Sequence, residues 1–216
     1  MSVATTLRIS EIFFSLQGEA SRVGLPTVFV RLTGCPLRCS WCDTEYAFTG
    51  GSTMTLEEIL AEIGRYPTTH VCVTGGEPLS QKSCLELLTT LCDLGLDVSL
   101  ETSGAIDISG VDPRVARIMD LKAPGSGEAE KNRWENLVHL KPGDELKVII
   151  ASRADYEWAR HALQVHDLAG RCPVLFSPAQ GLIEARELAE WILADGLPVR
   201  FQVQLHKVIW GNMKGK

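Results

Sequence analysis

Short β-branched runs alternate with helical patterns along almost the whole of this 216-residue chain, and that alternation leaves few folds open. The runs from Arg8 to Phe14, Thr27 to Leu32, Val71 to Thr74, Asp97 to Thr102, Arg117 to Leu121, Glu145 to Ile150, Val174 to Ser177 and Val199 to Leu205 read as strands. Helices are predicted between them. Thr55-Leu56-Glu57-Glu58 has capping-box spacing and opens one to about Tyr66. Ser80 opens a second that Gly95 closes, Ser152 opens a third to about His166, and a fourth spans about Ile183 to Ala194 before Gly196. Strands joined by helical crossovers form a parallel sheet with right-handed connections, so the expected architecture is α/β, a partial or complete (β/α) barrel of mostly parallel strands. No repeat, low-complexity tract or linker divides it, and a single domain over residues 1–216 is expected, with Ala123 to Glu128 as a flexible loop inside it.

In folds of this kind the site gathers at the carboxyl ends of the strands. Here one strand after another ends in a compact polar group: Thr74-Gly75-Gly76-Glu77-Pro78, Glu101-Thr102-Ser103-Gly104, Asp120-Leu121-Lys122, Ser177-Pro178 and Gln204-Leu205-His206-Lys207. The strand Thr27 to Leu32 gives way to a loop holding Cys35, Cys39 and Cys42, a C-x3-C-x2-C spacing. Thiolates are soft ligands suited to iron–sulfur clusters, and a four-iron cluster normally takes four of them. Three with no close fourth leave one iron open to bind something else. A structural zinc site needs a fourth nitrogen or sulfur, and the next candidates downstream are His70 and Cys72. A disulfide framework is disfavoured by an odd total of seven cysteines, the other four of which lie in segments that read as core.

Charge and hydropathy narrow the class further. With 27 acidic against 21 basic side chains the net charge is −6, which works against the electrostatic attraction behind nonspecific nucleic-acid affinity. No direct nucleic-acid contact is expected. No stretch of about 18 apolar residues occurs, and the N-terminal segment lacks a long apolar run, so a cytoplasmic protein away from membranes is expected.

The cysteine loop together with Gly75-Gly76-Glu77-Pro78 resembles the radical S-adenosylmethionine enzymes, in which that cofactor chelates the fourth iron of a [4Fe-4S] cluster. A second resemblance covers nearly the whole chain. Ser15-Leu16-Gln17-Gly18-Glu19, Arg31 ahead of Cys35, Cys42-Asp43-Thr44, the string Asp120 to Gly127 and Gln204-Leu205-His206-Lys207 are similar to the 7-carboxy-7-deazaguanine synthases. That resemblance implies a pterin substrate, 6-carboxy-5,6,7,8-tetrahydropterin, contracted with loss of ammonia on the route to 7-deazapurine nucleosides such as queuosine. It implies S-adenosylmethionine contacts at Trp41, Gly75, Gly76, Glu77, Ser103 and Lys122, and substrate contacts at Leu16, Gln17, Gly18, Glu19, Arg31, Thr74, Glu101 and His206. Arg31 would clamp the substrate carboxylate, and His206 would approach from the last strand. Thr44 would help hold Mg2+ with Asp43 behind it, the cluster and cofactor would carry the hard chemistry, and a homodimer fed by an electron donor such as flavodoxin is the expected assembly. Family chains end soon after the His-Lys pair, whereas Val208 to Lys216 follow here. Two other functions share part of the pattern: a glycyl-radical activase, which has no use for the Gln-Gly-Glu segment, and a zinc-binding interaction module.

Overall fold

The computed structural model describes residues 5–211 and 213–215. Nine strands form one sheet: β1 (Thr6–Leu16), β2 (Pro26–Leu32), β3 (Ser52–Thr55), β4 (His70–Gly75), β5 (Asp97–Thr102), β6 (Ala116–Leu121), β7 (Glu145–Ile150), β8 (Val174–Pro178) and β9 (Arg200–Phe201). Their spatial order is β3-β1-β2-β4-β5-β6-β7-β8-β9. From β2 to β9 every neighbouring pair is parallel, while β1 runs antiparallel to both β2 and β3. The edges β3 and β9 do not pair with each other, so the sheet is a partial barrel, as the alternation predicted.

Helices α1 (Leu56–Ile63), α2 (Cys84–Asp93), α3 (Arg153–Val165) and α4 (Ala185–Asp195) are the crossovers, and α5 (Leu205–Trp210) follows the last strand. The local signals act as expected. Thr55 Oγ1 accepts from the Glu58 amide at 3.2 Å while Glu58 returns an acceptor to the Thr55 amide at 2.8 Å, closing the capping box. Ser152 caps α3 through the Asp155 amide, and Gly196 ends α4 in the left-handed region at φ 57°. Alternation along each strand sorts side chains onto two faces. Val30, Val73, Leu100, Met119, Val148 and Phe176 join the core under the helices, where the Tyr156 ring meets Phe176 edge-on at 6.2 Å.

Three expectations change. The chain from Val199 to Leu205 alternates like a strand, yet only Arg200 and Phe201 pair with β8. Beyond them the Gln202 side chain takes the Ala20 amide at 2.7 Å and donates to its carbonyl at 3.2 Å, drawing the chain out of the sheet so that Leu205 starts a helix. The short edge strand β3 was not foreseen. The loop at Ala123 to Glu128 is tied down rather than free: Ser40 bonds its backbone at Ser126 and Gly125, the Arg38 amide donates to Glu128, and Asp155 takes the Gly125 amide at 2.7 Å.

Candidate active site

The ladder registers place one file of polar side chains on the sheet face away from the helices. Glu11 pairs with Arg31, Arg31 with Thr74, and Asp120 with Lys147, while Glu101 stands beside Ile118 one step below Asp120. Residues paired in a ladder share a face. The side chains then connect: Thr74 Oγ1 donates to Glu101 at 2.9 Å and Gln17 Nε2 to the other oxygen at 3.3 Å. Lys147 Nζ lies 2.5 Å from Glu19 and 3.4 Å from Asp120, and Lys122 Nζ lies 2.5 Å from the second oxygen of Asp120.

The cysteine loop borders this file. Gly34, at φ 102°, makes the turn out of β2, and its carbonyl accepts the Glu77 amide at 2.7 Å. A Cβ on Gly76 would strike that carbonyl and come within 2.7 Å of Cys35 Cβ, so only glycine lets the β4 turn lie this close to the loop. Cys35, Cys39 and Cys42 are all partly exposed and unpaired, and Cys39 lies within electrostatic reach of both Cys35 and Cys42. Burial pushes all three thiols up, and the ammonium of Lys122 opposes it at each. Among the described residues no three His, Cys, Asp or Glu side chains gather closely enough to grip a single ion. Tetrahedral zinc with bonds of about 2.3 Å would need such a grip, whereas a cluster takes one thiolate per iron. Cys72, Cys84, Cys92 and Cys172 are buried, and Cys72 and Cys84 belong respectively to β4 and α2.

Other predicted residues fall around this junction. Glu77 is fully buried with its carboxylate spent inside: it accepts from the Leu79 amide, the Thr102 hydroxyl, and both the amide and hydroxyl of Ser103. It braces the β4 and β5 turns, so its carboxylate faces inward rather than toward the cysteine loop. Trp41 and Lys122, with Asp120, Leu121, Ala123 and Ile149, line a shallow depression. Ile149 pairs with Ser177, whose buried hydroxyl has no protein partner among the described residues. An orphaned hydroxyl, a glycine cradle and a lysine beside a three-thiol loop suit a cluster with a polar cofactor over it.

His206 sits on α5 rather than on a strand, a correction to its expected origin. It still reaches the site, because the Leu205 amide donates to Gly18 O at 2.9 Å and the imidazole covers Gly18 so closely that a Cβ there would lie 2.9 Å from His206 Cγ. Gln204 donates to Glu19 at 2.7 Å, and Lys207 pairs with Asp43 at 2.6 Å. Leu16 ends β1 just before this contact. Arg31 spends Nε on Glu11 at 2.7 Å and lies over the rings of Phe13 and Tyr46. Among the described residues its two terminal nitrogens have no hydrogen-bond partner, which leaves the paired fork that binds a carboxylate. Thr44 donates its hydroxyl proton to Asp43 at 2.7 Å, so its oxygen lone pairs remain for a cation. Burial would raise Asp43, but the Lys207 ammonium holds its carboxyl down to about 2.

Sequence reasoning passed over Lys147 and used Asp120 only as a strand end. The signal was a lone lysine inside Leu146-Lys147-Val148-Ile149-Ile150, on the face where Asp120 sits next door.

The Radical SAM superfamily signature matches residues 29–122, the stretch from β2 through the cysteine loop to Lys122. A 7-carboxy-7-deazaguanine synthase of Chlorobaculum tepidum is 47% identical, with 97% of each chain covered. The chain belongs to the 7-carboxy-7-deazaguanine synthase family. Its relative of the same name in Koribacter versatilis is 44% identical over 94% of this chain and 97% of that one. Among solved structures, the QueE protein of Escherichia coli superposes with a TM-score of 0.77 at 27% identity, covering 93% and 95% of the two chains. Streptococcus suis SuiB, solved with S-adenosylmethionine, shares the fold alone: TM-score 0.53 at 12% identity over 78% of this chain and 44% of that one. As a radical S-adenosylmethionine protein the chain uses a [4Fe-4S] cluster and S-adenosylmethionine. None of its helices is long and apolar enough to cross a membrane among the described residues.

Proposed function

We propose that this chain makes 7-carboxy-7-deazaguanine from 6-carboxy-5,6,7,8-tetrahydropterin, with ring contraction and loss of ammonia, in 7-deazapurine biosynthesis. The observation that carries the reading is the meeting of Gln17-Gly18-Glu19, Arg31, Glu101 and His206 on one face beside the three-cysteine loop, in a chain 47% identical to a protein of that name. Cys35, Cys39 and Cys42 would hold the cluster, which with S-adenosylmethionine supplies reductive cleavage of the sulfonium and a carbon radical.

The chain's own residues do the rest. Arg31 presents its terminal nitrogens to the substrate carboxylate, stiffened by Glu11 and by the Tyr46 hydroxyl that also donates to Glu11 at 2.7 Å. Gln17, Glu19 and Glu101 offer amide and carboxylate partners to the donor and acceptor edge of a pterin, and Thr74 orients Glu101. Lys122 and Ser103 line the cofactor side with Trp41 and the backbone of Gly75 and Gly76. Thr44 would offer its hydroxyl oxygen to a Mg2+ ion, which favours a few protein oxygens and would supply charge to hold an anionic substrate. The acidic net charge of −6 suits an enzyme that acts on the free heterocycle before any nucleic acid is involved. A single domain, a homodimer, cytoplasmic location and a flavodoxin-type electron donor belong to the same reading.

The test is anaerobic. Reconstituted, reduced protein given S-adenosylmethionine, Mg2+ and 6-carboxytetrahydropterin should release a 7-carboxy-7-deazaguanine product and ammonia. Cofactor cleavage with no deazapurine from this or any related pterin would reject the assignment.

A further inference from the structure

Glu19, Lys147, Asp120 and Lys122 alternate in sign along one connected line across the site face, with nitrogen–oxygen distances of 2.5, 3.4 and 2.5 Å. The side chains of Glu19 and Lys147 are each only 10% exposed. Such pairs are poor devices for stability, because apolar residues of similar volume often serve the fold as well or better. A buried lysine whose neighbours form a ligand site therefore points to the site. Lys147 comes from β7, and among the described residues it is the cation bonded to Glu19: the second oxygen accepts from the Gln204 amide nitrogen, and the nearby His206 ring makes no hydrogen bond to it.

We propose that Lys147 is a positioning residue for Glu19, fixing that carboxylate as an acceptor for the N–H groups of the bound heterocycle. The ligand in this statement rests on the pterin reading above. A carboxylate has about four acceptor sites, and Lys147 and Gln204 together use two, so two stay open. Burial alone would raise Glu19, but the charge and hydrogen bond of Lys147 hold it below the ordinary carboxylate range. Without that ammonium, burial favours the protonated carboxyl. One oxygen then becomes a donor facing the donors of the ligand, and recognition weakens while the cluster loop is untouched.

The experiment uses the reconstituted holoenzyme. Lys147→Met should raise KM for 6-carboxytetrahydropterin at least tenfold with kcat changed less than threefold and iron content equal to wild type, and Lys147→Arg should recover most of the loss. A KM within twofold of wild type in Lys147→Met overturns the inference, as does a Lys147→Arg protein no better than Lys147→Met. A second arm needs no substrate. Glu19 is faced by Lys147 from β7, Gln204 ahead of α5 and His206 from α5, and Lys147 in turn by Asp120 from β6 and Glu101 from β5. The depressed carboxyl of Glu19 contributes stability that is fully present above the unfolded value of 4.5 and lost as pH falls through the lower folded value, so the melting-temperature gap between wild type and Lys147→Met should be wide at pH 8 and close only as pH falls below about 4.5. Glu19→Gln in the Lys147→Met background should narrow the pH 8 gap. If wild type makes no deazapurine, the functional assignment falls; a gap indifferent to pH and to Glu19→Gln then removes Lys147 from the role as well.

Discussion

The two faces of strands β4 to β8 are built from the same segments and obey opposite rules. On the helix side, Val73, Leu100, Met119, Val148 and Phe176 are at most 2% exposed and pack into one apolar cluster. On the other, Thr74, Glu101, Asp120 and Ser177 each follow one of these by one residue, and Lys147 precedes Val148. A closed barrel of this size fills its interior with branched apolar side chains, whereas this open sheet uses its uncovered face for charge. The apolar face makes the protein fold, and the polar face is held by pairing so that it can offer what remains unpaired to a ligand. Changes on the apolar side should therefore cost stability without chemistry, whereas on the polar side the larger cost should fall on chemistry.

The sharpest break in that division is expected at the border. Cys39→Ala should lose the cluster and all product while keeping the wild-type fold by circular dichroism, whereas Cys72→Ala, inside the sheet, should keep full iron content; iron loading in Cys39→Ala would erase the distinction. Next is the apolar face. Phe176→Ala should lower unfolding free energy by about 3–5 kcal/mol in denaturant titration and leave KM for the pterin alone in protein that is still folded. Arg31→Ala is the mirror case: pterin binding should weaken by about 2–5 kcal/mol, measured calorimetrically in the presence of S-adenosylmethionine, while reductant-driven cofactor cleavage continues. Unchanged affinity would remove Arg31 from the substrate side. The smallest effect belongs to Thr44→Val, which should abolish the rise in product formation with added Mg2+ and leave the cluster signal normal. A wild-type rate indifferent to Mg2+ after chelation would leave Thr44 as a turn residue.

The strands β2 and β4 to β8 were legible to within a residue or so because helices or turns with strong end signals bound each of them. The end of the sheet was not. Val199 to Leu205 has the alternation of a strand, and what stops it is a contact made across the molecule, the Gln202 amide on Ala20. No period in the sequence encodes that partner. Similarly, Gly75-Gly76 was readable as a close approach, but Glu77 beside it turned inward because Thr102 and Ser103 arrive from another strand. The motif residues were visible one at a time, and their division between ligand contact and bracing was not. Lys147 shows the converse: an unremarkable residue in its own strand that acquires meaning from the neighbours the register gives it.

Helix α5 carries a consequence for the order in which the protein becomes competent. The cysteine loop and the glycine turn against it lie in the first half of the chain, while Gln204, His206 and Lys207, which complete the contacts to Glu19, Gly18 and Asp43, are synthesised far downstream. A domain folds largely as a unit, so the early part waits for the late one. A chain cut short after β9 would keep the residues of the cysteine loop and the glycine turn but lack every contact that α5 and Gln204 make to Gly18, Glu19 and Asp43, so what it loses first is the means to direct its chemistry.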